Sequence, residues 1–157
     1  MRKFVIEFPE YNISAVGTVL EDEPQNADSF WDWMAKPQKC FTHPTISTGE
    51  HFSCWPRPPY DPPAATGDQT THLSNNSPIL CTGDKPTESH DGEILWSGWN
   101  PAVTWGYITE PLISGDAVVG QIDPEYIDAL QKGGKQIWYQ TVFHHTLGIV
   151  IFHRKED

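Results

Sequence analysis

The chain has 157 residues, 21 of them acidic and 10 basic, for a net charge of −11. That length suits one domain with its own core, and the acidity excludes DNA, RNA and anionic membranes as partners, which need clustered Lys and Arg. No five like charges run together, so the acidity reads as a solvated surface. Cys40, Cys54 and Cys81 are widely spaced without a CxxC, which indicates neither a disulfide framework nor a zinc knuckle. MRKFVIEF turns acidic at once and no apolar run reaches the roughly 20 residues of a membrane span, so a soluble, cytoplasmic protein is expected. Seven Trp, seven Phe and five Tyr either fill a core or line a pocket for a flat ligand.

Phe4, Ile6 and Phe8 alternate with Val5 and Glu7, predicting a first strand over Lys3 to Phe8. Tyr11-Asn12 is the turn of a hairpin whose second strand is Ile13 to Leu20, with Val16, Thr18 and Leu20 alternating with smaller residues. Asp22 or Glu23 can cap a helix that opens at Pro24 and stops before Pro37, with Ala27, Phe30, Trp31 and Met34 as its apolar stripe. Cys40 to Ile46 and His51 to Trp55 are short strand candidates around Ser47-Thr48-Gly49. Residues 56 to 78, dense in proline, can be neither helix nor central strand and read as either plain surface or a lid.

Beyond it, Ile79 to Thr82, Glu93 to Trp99, Val103 to Ile108 and Ala117 to Ile122 are strand candidates, with Asn100-Pro101 as a break. Asp123-Pro124 repeats the cap-and-proline device and predicts a short helix through Leu130, closed by Gly133-Gly134 as a left-handed cap. Gln136 to Phe143 and Leu147 to His153 are predicted as the last strands, with His144-His145 in a hairpin turn. Many short strands and two short helices suggest a closed β-barrel with helices at its ends.

TVLEDEPQNADSFWDWM, STGEHFSCW, PTESHDGEILWSG and AVVGQI before a short helix come in an order that resembles the cyclophilin-like barrel. More narrowly, they resemble a bacterial family of small cyclophilin-like proteins that includes the cucumopine and mikimopine synthases. The residue 56 to 78 insertion departs from that pattern. CFTHPTIS lacks the strand arginine of the prolyl isomerases, and no FMxQGG-like run occurs, which argues against isomerase activity. The synthases join an amino acid to a 2-oxo acid by Pictet–Spengler chemistry without a cofactor. The resemblance therefore implies a cofactor-free enzyme acting on a small-molecule amine (Trp or His type) and a 2-oxo acid. A non-catalytic ligand-binding barrel is the alternative, and a homodimer is compatible with either.

That chemistry needs proton acceptors, cations for the oxo-acid carboxylates and an aromatic wall that holds the flat ring. Glu21, where the family keeps a pocket acid, Glu50 at a strand start, and Glu88 with His90, two apart in an extended segment, are the acid–base candidates. Arg57 and Lys85 are the expected anion holders, and Trp99 and Trp55 the aromatic surfaces. Each has a plainer reading as a solvated turn, a surface charge or packing. Adjacent His144 and His145 of a strand would point to opposite faces and lack a third ligand, so no metal site is expected. Cys54 and Cys81 have no sequence-local base and read as inert thiols.

Overall fold

The computed structural model describes residues 1–21, 24–44, 51–56, 92–96, 100–105 and 117–156. The strands are β1 (Lys3–Phe8), β2 (Ile13–Val19), β3 (Gln38–Pro44), β4 (His51–Pro56), β5 (Glu93–Trp96), β6 (Pro101–Thr104), β7 (Ala117–Ile122) and β8 (Ile149–Arg154). The helices are α1 (Pro24–Trp33) and α2 (Ile127–His144). All neighbouring strands run antiparallel, in the closed order β1-β2-β7-β5-β6-β4-β3-β8. This is the mainly β, closed barrel with two helices that the resemblance implies.

β1 measures the barrel from end to end. Its inward residues Phe4, Ile6 and Phe8 have no exposed surface, as their alternation predicts. Across the hairpin stand small residues, Gly17 opposite Phe4 and Ala15 opposite Ile6. A Cβ at Gly17 would collide with the Phe4 ring, so the wall is thin where the filling is thick. On β2 it is Ala15 and Val19 that join the central core, whereas Leu20 packs in a separate cluster with Leu95, Ala102 and Val118.

At the Phe4 end sits α1. Ala27, Phe30 and Met34 are buried, with the Phe30 ring 5.5 Å from that of Phe4, 5.5 Å from Trp96 and 6.4 Å from Phe152. Trp31, expected on the same stripe, is only partly buried and lies between the Arg2 and Arg154 guanidinium groups, 5.6 and 4.5 Å from its ring centre. At the Phe8 end sits α2, which carries Leu130 and Ile137 into the core.

α2 is the main departure from the sequence reading. The expected strand Gln136 to Phe143 is helix, and Gly133-Gly134 lie inside it rather than after it. A Cβ at Gly133 would stand 2.6 Å from the Phe8 ring, and one at Gly134 would strike Trp105. The pair is there for close approach of helix to barrel, so Leu130, Gly133, Gly134 and Ile137 form one buried stripe at helical spacing. The helix ends at His144, and His145, at φ 56°, is its left-handed cap, with Thr146 N–H donating to the Gln140 carbonyl at 3.2 Å. The expected hairpin turn at His144-His145 is therefore a helix terminus.

Asp123 also departs from its expected role as a side-chain cap. Its carboxylate turns to Thr18 Oγ1, which donates at 2.6 Å, and to Lys3 Nζ, tying β1 and β2 to the start of α2. Pro101, read as a break, opens β6.

Candidate functional site

Of the expected site residues, the structure describes Glu21 and Trp55. Glu50, Arg57, Lys85, Glu88, His90 and Trp99 lie outside the described residues. So do Cys81 and the expected strand Ile79 to Thr82.

Glu21 stands two residues beyond the end of β2, at the α1 end of the barrel, and is exposed. The Arg2 fork grips its carboxylate, Nε donating to Oε1 at 2.8 Å and Nη2 to Oε2, while Nη1 reaches Asp28 at 2.8 Å. The hydrogen-bonded guanidinium holds the Glu21 carboxyl below the usual carboxylate range, against the opposing effect of desolvation. Glu21 is thus ionised across the neutral range, with both carboxylate oxygens engaged by Arg2.

Trp55 lies toward the same end, on β4 next to Phe41 of β3, with its side chain outside the barrel wall and 40% exposed. Three strands separate β2 from β4 in either direction around the barrel. Glu21 and Trp55 are therefore not brought together. Nor, among the described residues, does the interior between the helices offer them a shared hollow. Phe4, Phe8, Phe30, Phe52 and Phe152 fill it with no exposed surface, as side chains do in an eight-stranded barrel.

Cys40 and Cys54 are buried free thiols on neighbouring strands. Burial pushes the Cys40 thiol up to about 12 and that of Cys54 well above its ordinary value, with Cys40 adding to the latter. Neither is a nucleophile near neutral pH. Among the described residues no group of three or more metal-binding side chains occurs.

A concave surface that the sequence reading did not single out lies at the opposite end, along α2. A cleft of about 360 Å³ is lined by Trp105, Asp128, Gln131, Lys132 and Lys135. Trp105 follows the last residue of β6, and Gly134 lets its indole approach the helix closely. The indole Nε1 is buried and has no hydrogen-bond acceptor among the described residues. Lys135 also borders a second hollow of about 380 Å³ with Tyr11, Gln136, Tyr139, Gln140 and His144. Reading residues 136 to 143 as a strand hid this face. Helical spacing of Asp128, Lys132 and Lys135 is the signal that could have exposed it.

No family model and no curated protein matches the sequence. Among solved structures, the chain is similar to McbB in complex with tryptophan, with a TM-score of 0.70 at 22% identity. The alignment covers 98% of this chain and 45% of McbB, so the chain spans less than half of that protein's length. The likeness is one of fold. It extends over nearly every residue of the barrel and both helices.

Proposed function

We propose that this barrel is a cofactor-free enzyme that condenses an aromatic amine or amino acid, of the Trp or His type, with a 2-oxo acid. The observation that carries the reading is the shared fold with a protein solved with tryptophan bound, together with the synthase-like words of the sequence. In the proposed reaction the amine adds to the ketone and expels water to form an iminium. An electron-rich ring carbon then attacks it, and loss of the ring proton restores aromaticity. Glu88 with His90, and Glu50, accept and return the protons; Arg57 and Lys85 hold the oxo-acid carboxylates; Trp99 supplies the flat surface, while Trp55, outside the barrel wall, stands three strands away from Glu21. Glu21, held by Arg2 as a paired anion of lowered basicity, has to exchange that partner to take a proton, and it is the first base to test.

The test is incubation with L-Trp or L-His and 2-oxoglutarate, followed by mass spectrometry. The expected product has the summed mass of both reactants less one water. Glu21→Gln is expected to cut turnover sharply with the fold intact, and undiminished activity removes Glu21 from the chemistry. A second reading, a ligand-binding barrel without turnover, is favoured by the engagement of Glu21 with Arg2. It predicts a ligand-dependent rise in melting temperature with no adduct from any amine and oxo-acid pair.

A further inference from the structure

We propose that the cleft between Trp105 and α2 is a binding site for a planar aromatic monocarboxylate. The cleft lies at the Phe8 end of the barrel, away from Glu21, and the inference does not depend on the condensation reading.

Three observations converge on it. The first is charge. Lys132 and Lys135 are one turn apart on the exposed side of α2, and among the described residues neither makes an ion pair. Asp128 stands one turn before Lys132, the favourable order for a helical pair, yet the two do not join. In a chain of net charge −11, this leaves a local site with a single net positive charge, which matches one carboxylate.

The second is shape. The flat Trp105 indole, pressed on Gly134, borders a volume at the small end of the range for organic ligands. An aromatic ring stacked there places its carboxylate toward the lysine amines, where charge-assisted hydrogen bonds are strong. The third is an unmet donor. Among the described residues the Trp105 N–H is buried without an acceptor, a state that native folds avoid. A ligand carboxylate is an acceptor of the kind this donor lacks.

Indole-3-acetate is the probe, titrated into the full-length, ¹⁵N-labelled chain. The Trp105 indole resonance is assigned by its loss in Trp105→Phe. The expected result is a saturable shift of that resonance, weakened by added salt. In Lys132→Ala/Lys135→Ala the affinity is expected to fall by about tenfold or more, and indole or acetate alone should bind at least as weakly. Both lysines are exposed, and an unchanged thermal melt of the double variant confirms its fold. Three results overturn the proposal: a Trp105 signal that stays still, an unchanged affinity in the double variant, or no saturation by about 1 mM probe.

Discussion

Arg2 organises more than its position near the chain start suggests, because it binds Glu21, Asp28 and the face of Trp31 together. Removing it in Arg2→Met should let the Glu21 carboxyl return upward toward the ordinary carboxylate range, as a side-chain NMR titration would read. The stabilisation from this pair is complete above the unfolded carboxylate range and fades as pH falls through the lowered folded value. Both partners touch water, so Arg2→Met or Glu21→Gln should cost no more than about 1 kcal/mol at neutral pH by chemical denaturation. The thiols give the opposite dependence. Cys40 and Cys54 are stabilising while protonated, so stability should be intact below about pH 9 and decline as pH rises toward about 12. In a Cys81→Ser background, neither thiol should react with a disulfide reagent at pH 8 until the protein unfolds; rapid native-state reaction would contradict their burial.

Among the elements, α2 carries the clearest conflict between local preference and tertiary demand. Glycine inside a helix costs roughly 0.5–1 kcal/mol relative to alanine, and QIWYQTVF is rich in residues that favour strands. The chain is helical there because Leu130 and Ile137 reach the barrel core only with Gly133 and Gly134 against Phe8 and Trp105. Gly133→Ala and Gly134→Ala should therefore each destabilise by about 1–3 kcal/mol through overpacking, although propensity alone predicts a gain. A denaturant midpoint that rises in either variant would rule out the close approach. At the helix end the reverse holds. His145 occupies a left-handed conformation at φ 56°, so His145→Gly should raise stability by about 1 kcal/mol.

For the molecule as a whole, β1 is the common element, since Phe4 meets α1 and Phe8 meets α2 within one continuous core. Helices that share a core should melt together. Near-ultraviolet circular dichroism of the Phe30, Trp33 and Trp96 cluster and far-ultraviolet signal from α2 should trace coincident unfolding transitions, and separate midpoints would show that α2 docks independently. Much of this barrel is legible in the residues. The spans of β1 and β7 match their expected bounds at both ends, α1 starts at the proline that marks it, and Asn12 takes the left-handed turn its type allows. The site was less legible. Glu21 lay where its strand-end motif placed it, but its partner Arg2 is 19 residues away, a pairing that no local pattern encodes.

By itself the sequence determined the strand alternation, the first helix and the mainly β class, because periodicity and proline chemistry act over a few neighbouring residues. Tertiary structure alone decided the helical state of residues 136 to 144, the docking role of Gly133-Gly134, the pairing of Glu21 and the Trp105 cleft. Each of these depends on groups distant in the chain that meet only when the barrel closes, where packing outweighs a local preference of about 1 kcal/mol.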